Sequence, residues 1–181
     1  MSVVILFQTL DEIMSAVKKV LIPTDFNVKS LNVLLEFLRR NPNDQFEVIL
    51  AHGYDMSYSF RDLLFYSEYK ILKKIQSEEF RESCKLIENT YQSKLTKLKF
   101  SILTGSTKRY VKNYVEANNI DCIVCCNDYK MKFKSRDSFN LLPYLKTTKA
   151  EIINIENTQN VVSELEHSEQ LADIFLSSVE Q

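Results

Sequence analysis

Lys19-Val20-Leu21-Ile22-Pro23-Thr24-Asp25-Phe26 is an aliphatic run that stops at a Pro-Thr-Asp corner. Val20 to Ile22 are apolar without alternation, which suits a strand covered on both faces, as in a parallel sheet. Proline has no N–H to continue a ladder, so the strand ends at Pro23-Thr24-Asp25. Asn27 or Ser30 then caps a helix whose apolar positions Leu31, Leu34, Leu35 and Leu38 keep the 3.6-residue period.

The same alternation continues down the chain. Asn41-Pro42-Asn43-Asp44 is a loop signal. Phe46 to Ala51 is a second buried strand, running into His52-Gly53. Residues 61–97 contain no Gly or Pro and read as helical. One unbroken helix of that length would span about 55 Å, against a radius of gyration near 16 Å for a globule of this size, so a bend is expected near Gln76 to Glu79. Leu98 to Thr104 is a third strand, Gly105-Ser106 opens a helix with Tyr110, Val111, Tyr114, Val115 and Ala117 on its apolar face, and Asp121 to Asn127 holds a fourth strand. Residues 128–136 form a basic loop, Ser138 to Lys146 a short helix and Ala150 to Ile155 a fifth strand. At the ends, Thr9 with Glu12 reads as a capping box for a short helix reaching Val17, and Val161 to Val179 as an amphipathic helix. Its stripe of Leu165, Leu171, Ile174, Phe175 and Val179 covers a sheet face, a dimer seam or a partner protein. Strands alternating with helices imply βαβ units. The expectation is an α/β fold: an open, five-stranded, mostly parallel sheet with helices on both faces and helical extensions at each terminus. Residues 1–181 read as one domain, with a core over 18–157, an N-terminal extension over 1–17 and a C-terminal helix over 158–181.

The composition narrows the function. The chain has 181 residues, 23 Lys+Arg against 24 Asp+Glu, and a net charge of −1. A balance this close to neutral gives no reason to expect nucleic acid or an anionic membrane as partner. The early apolar run Val3 to Phe7 is too short for a signal-peptide core or a membrane span, so a cytoplasmic location is expected. Four cysteines in such a chain read as reduced thiols. Only Gly53 and Gly105 are glycine, where average usage would give roughly a dozen. Glycine-rich phosphate loops and the G-x-S-x-G elbow are therefore absent.

In the order of its motifs the chain resembles the universal stress protein family. Lys19 to Phe26 is similar to that family's opening V-L-[IVY]-P-T-D-[FG]-S, and Val48-Ile49-Leu50-Ala51-His52 to its second strand. Gly105 with the following helix and Asn119-Ile120-Asp121-Cys122-Ile123-Val124 resembles its G-x-[PS] … G-x-D-L-I-V segment. The resemblance covers residues 18–157. It implies a five-stranded parallel sheet, of the kind also seen in adenine-nucleotide alpha-hydrolase-like proteins, and a homodimer. It also implies an ATP site at the carboxyl ends of the first and fourth strands, with Pro23, Thr24, Asp25 and Gly53 as nucleotide contacts. The family's phosphate motif G-2x-G-9x-G-[ST] falls, ungapped, on Cys126, Tyr129 and Phe139, with Asn140 at the hydroxyl position; anchored on the last strand, its final pair falls on Asp137-Ser138. No glycine survives in either alignment. Bare glycine backbone lets N–H groups approach phosphate oxygens, so side chains at Cys126 and its partners imply a closed or reshaped cradle. ATP is the one cofactor the resemblance offers, and the glycine-less bend argues against it.

Each candidate residue has two readings. Asp25 is an acceptor for a ribose or adenine group, or a loop aspartate satisfying local N–H donors. Lys130, Lys132, Lys134 and Arg136 hold an anion as point charges, or line a solvated loop. Tyr129, Met131 and Phe133 interleave with them as a docking surface or as simple packing. Cys122, Cys125 and Cys126 spell C-x-x-C-C; the first two lie in a strand and point to opposite faces, which suits core packing. Cys126 and His52 both end strands near Asp25, leaving a metal or thiol sensor as the alternative. His167 lies far away on the terminal helix, and no Ser/His/Asp set or carboxylate pair emerges from the spacing; Glu78, Glu79 and Glu82 read as a solvated helix face. The reading that follows is a non-enzymatic, homodimeric stress-response module with a degenerate nucleotide pocket, signalling through protein partners. The alternative binds adenine nucleotide through Asp25 and the basic loop. An enzyme on the same sheet ranks last.

Overall fold

A computed structural model describes residues 17–56 and 66–156. The expected helix over 9–17, apart from Val17 at its end, the helix over 161–179, His167 and the start of the long helical stretch lie outside these residues. Strand β1 (Lys18–Pro23) leads through a single 3-10 turn, Val28–Ser30, into α1 (Leu31–Arg40), followed by β2 (Phe46–Tyr54). Then come α2 (Glu68–Ile75), α3 (Glu78–Thr90), β3 (Leu95–Leu103), α4 (Lys108–Ala117), β4 (Cys122–Cys125), β5 (Ser138–Phe139), α5 (Leu142–Leu145) and β6 (Glu151–Asn154).

The sheet runs β3-β2-β1-β4-β6, all parallel, with β5 antiparallel on β2. The chain leaves β1 toward β2 and β3, then crosses back to β4 and β6. The order therefore reverses between β1 and β4, which makes their carboxyl ends the switch point where ligands of open α/β sheets generally sit. The period-2 alternation of strands divides each apolar run between two layers. Val20, Ile22, Val48, Leu50, Cys122 and Val124 face one layer with Leu31, Leu34, Leu35, Leu38, Phe80 and Ile87. Leu21, Ile49, Ala51, Leu103 and Ile123 face the other with Val111, Val115, Leu141 and Leu145. This is why the strands read as continuous hydrophobic runs.

The α2/α3 break comes where the sequence places it. Gln76 is extended, and Ser77 caps α3 by accepting from the Phe80 N–H at 3.2 Å. Glu78 and Glu79 follow in the first turn, where the helix dipole favours them.

Four details differ from the sequence expectation. The helical stretch ends at Thr90 rather than 97, because residues from Leu95 pair with β2; Phe46 N–H donates to the Lys94 carbonyl at 2.7 Å. The α4 cap is Thr107, accepting from Tyr110 N–H at 3.2 Å, and Ala117 at its end is exposed. Gly105 instead lies under the Tyr110 ring, so closely that a Cβ would meet its Cγ at 2.5 Å. Ser138 to Phe139 form a strand, not the start of a helix, adding a short sixth member to the sheet. Gly53 permits this: a Cβ there would lie 2.6 Å from the Phe139 carbonyl oxygen.

Candidate functional site

The Pro-Thr-Asp corner closes the end of β1 at the switch point. Thr24 N–H donates to the Ala51 carbonyl at 2.9 Å, which ties the corner to β2. Thr24 Oγ1 accepts from Phe26 N–H at 3.0 Å and is 2.7 Å from Ser30 Oγ, which donates to the Asn27 carbonyl at 2.7 Å. Phe26 turns the chain with φ 57°, a left-handed conformation that costs a bulky residue about 1–2 kcal/mol. Its ring is fully buried, stacked on His52 at 4.9 Å and edge-on to Phe80 and Phe100 at 5.3 and 6.2 Å. That burial offsets the strain of the turn that follows Asp25.

Asp25 is 1% exposed, and both of its oxygens are engaged. Oδ1 accepts from Asn27 N–H at 3.0 Å. Oδ2 accepts from the Tyr129 hydroxyl at 2.8 Å and from Lys132 N–H at 2.7 Å. Asn27 Nδ2 in turn donates to the Lys132 carbonyl at 2.8 Å. Burial, together with the Asp25 charge and its bond, pushes the Tyr129 phenol well above the ordinary tyrosine range, so it stays a protonated donor. Tyr129 stands where the ungapped alignment puts the second glycine of the phosphate motif.

The far end of the same loop is fastened as well. His52 is 1% exposed; its Nδ1 lies 2.8 Å from the Thr24 carbonyl and its Nε2 2.8 Å from Ser138 Oγ. A carbonyl only accepts, so Nδ1 carries the proton and Nε2 accepts from the Ser138 hydroxyl. Burial lowers the His52 pKa below the usual imidazole value, against smaller upward effects of the Thr24 bond and Asp25. Phe133 meets the His52 ring edge-on at 5.5 Å. Tyr54 OH donates to Asp137 Oδ2 at 3.0 Å, and Asp55 N–H to the Asp137 carbonyl at 2.6 Å.

Of the residues singled out from sequence, Pro23, Thr24, Asp25, Gly53 and Ser138 meet around this corner. Cys126 follows β4, half-buried, and packs against the core layer that holds Val20 and Ile22. Cys122 and Cys125 are buried, with thiols pushed up, Cys122 to about 11, chiefly by burial. Among the described residues no three His, Cys, Asp or Glu side chains are grouped to hold a metal ion. Lys130, Lys132, Lys134 and Arg136 are exposed, while Tyr129, Met131 and Phe133 between them are half-buried. The alternation in sequence is thus an alternation of faces. Three contacts were not legible in the spacing: Tyr129 to Asp25, Asn27 to Lys132, and Tyr54 to Asp137. Each spans a long stretch of chain and depends on how the loop folds back. An open hollow of about 440 Å³, lined in part by Lys112, Asn119, Asp121 and Glu151, lies at the opposite, amino-terminal end of β4 and β6.

No family model and no curated protein matches the sequence. Solved structures do match. The universal stress protein UspA from Lactobacillus plantarum superimposes with a TM-score of 0.50 and 12% identity, over 76% of this chain and 97% of that one. A universal stress protein in complex with cAMP gives a TM-score of 0.50 and 12% identity, over 80% of this chain and 100% of that one. Strand order, switch point and these superpositions agree: the chain has the universal stress protein fold.

Proposed function

We propose that this protein is a non-enzymatic, cytoplasmic regulatory module of the universal stress protein type, acting as a homodimer through protein contacts, with its nucleotide corner occupied by its own loop. The observation that carries this is the Asp25 carboxylate, already holding the Tyr129 hydroxyl and the Lys132 N–H. A nucleoside seeking Asp25 must displace both. Hydrogen bonds to an ionised group contribute about 1.5–3 kcal/mol each. Opening the loop therefore costs about 3 kcal/mol or more, which is two decades of affinity. The dimer is supported by β6, an edge strand among the described residues, whose Ile152 is 39% exposed. An unpaired apolar edge favours strand addition by a second copy.

A second reading keeps Pro23, Thr24, Asp25, Gly53, Cys126 and Ser138 as an adenine-nucleotide site, reached when the loop opens, with exposed cations of residues 130–136 on the phosphates. The cAMP complex of a protein with this fold favours considering it. One experiment separates the two. Protein purified without added nucleotide is denatured, and the supernatant is analysed for adenine nucleotide by absorbance and mass spectrometry; a melting curve is then taken in millimolar Mg-ATP. The self-occupied corner predicts no released nucleotide and no shift. Stoichiometric nucleotide, or stabilisation approaching the ~2.7 kcal/mol expected at 100 times Kd, would reverse the order of the readings.

A further inference from the structure

The His52–Ser138 contact has an arrangement that a simple staple between β2 and β5 does not need. Thr24 carbonyl fixes the imidazole tautomer, so the lone pair of Nε2 points at Ser138 Oγ, 2.8 Å away. A hydroxyl bonded to a neutral imidazole, itself oriented by a third group, is the geometry of an activated nucleophile. The two partners also differ in access. His52 is 1% exposed, walled by Phe26 and Phe133, whereas Ser138 is half-buried at the carboxyl end of the sheet. Desolvation keeps the imidazole in the neutral, basic form at neutral pH. Ser135, three residues earlier, provides the contrast within the same loop: its hydroxyl donates to Asp137 Oδ2 at 3.2 Å and has no imidazole partner.

We propose that Ser138 is a nucleophile activated by His52, and that it accepts a single acyl group from an activated carboxylic ester. In this step Ser138 Oγ bonds to the ester carbonyl carbon while its proton passes to His52 Nε2. The bond from that carbon to the leaving oxygen breaks, and the proton leaves with the departing group or, if that stays ionised, passes to solvent. The acyl group remains on Oγ and nothing is oxidised or reduced. The outcome is a modification rather than turnover. Release of the acyl group would be a separate second step, attack by water with His52 Nε2 again as base, and a burst of one equivalent is the signature of that step being slow. This assignment is independent of whether a nucleotide binds at Asp25.

The test is acetylation of the full chain by p-nitrophenyl acetate, with p-nitrophenolate release followed by absorbance and acetylated residues mapped by peptide mass spectrometry. A positioned general base contributes about 10²–10⁴-fold, so Ser138 is expected to react at least ~100-fold faster than Ser135, with a burst of one equivalent. Ser138→Ala removes the burst. His52→Asn retains an amide to donate to the Thr24 carbonyl but removes the base, and brings Ser138 down to the Ser135 rate. The Ser138-to-Ser135 ratio in the unaltered protein needs no variant, so it decides even if His52→Asn fails to fold. Equal rates at the two serines, acetylation of lysines alone, or a burst that survives His52→Asn would overturn the proposal.

Discussion

Replacing Tyr129 by Phe removes a single oxygen from the loop that covers Asp25. The ring keeps its packing, and Asp25 keeps Lys132 N–H on Oδ2 and Asn27 N–H on Oδ1, so the carboxylate is not orphaned. The loss is one hydrogen bond to an ionised acceptor, about 1.5–3 kcal/mol. Tyr129 is only half-buried, so water replaces part of that bond and the lower end applies, about 1.5 kcal/mol. For a chain of this size 1 kcal/mol moves the melting temperature by about 2–4 °C; the expected fall is roughly 3–6 °C by scanning calorimetry. The same 1.5 kcal/mol is subtracted from the cost of opening the corner, so Mg-ATP affinity should rise about tenfold, read by isothermal titration. A double-mutant cycle with Asp25→Asn should return a coupling of similar size, since the pair is in direct contact. An unchanged melting temperature would refute the bond. A lower melting temperature with no gain in nucleotide affinity would reduce Tyr129 to a prop and remove the idea that it holds the site shut.

Other perturbations probe separate parts of the fold. Gly53→Ala drives a Cβ to 2.6 Å from the Phe139 carbonyl oxygen; overpacking of this kind costs about 1–3 kcal/mol, visible as a lower urea midpoint, and a midpoint equal to wild type would show that β5 is free to lift. Burial depresses the His52 pKa, so below its ordinary value of 6.5 the unfolded chain binds more protons than the folded one, and stability drops as pH falls. The melting temperature should therefore decline between pH 7 and 5, less steeply in His52→Asn; parallel profiles would refute this. Ser77→Ala removes the α3 cap at about 1 kcal/mol, measured by denaturant titration. If the proposed dimer forms through β6, the wild-type chain sediments as a dimer and Ile152→Lys, which places a charge on that exposed edge, shifts it to monomer at unchanged stability; a dimer that persists would move the interface elsewhere, and a monomeric wild type would remove the dimer.

The layers of the fold were legible because burial in a parallel sheet writes itself into composition. Val20, Leu21 and Ile22 carry no polar alternation since both faces are covered, and α1 repeats leucine at the helical period. Local chemistry was legible too at Pro23, which acts on its own neighbours, whereas the break at Gln76 followed from helix length and not from its Ser77 cap. The failures came where a distant strand overrode the local signal. Residues 95–97 have no helix breaker before them and became strand only because β2 offers a ladder. Ser138-Phe139 became strand only because Gly53, far earlier in the chain, leaves room for it. At the site, Asp25 and Ser138 could be named by motif position. Tyr129 and His52 could be named as well, but not their bonds to Asp25 and Ser138, because a hydrogen bond across more than eighty residues leaves no periodicity to read.

The missing glycines and the presence of Tyr129 are one physical fact seen twice. A carboxylate buried to 1% exposure needs donors on both oxygens, or it loses several kcal/mol of hydration without return. In a corner open to a nucleoside the ligand supplies them; here the loop must. A glycine at position 129 would leave Asp25 Oδ2 with the Lys132 amide alone and a cavity the size of a phenol beside it. A tyrosine fills that volume and completes the carboxylate from within the chain. Retention of Asp25 is therefore no argument for nucleotide binding in this chain, because its own loop already gives the residue a structural role.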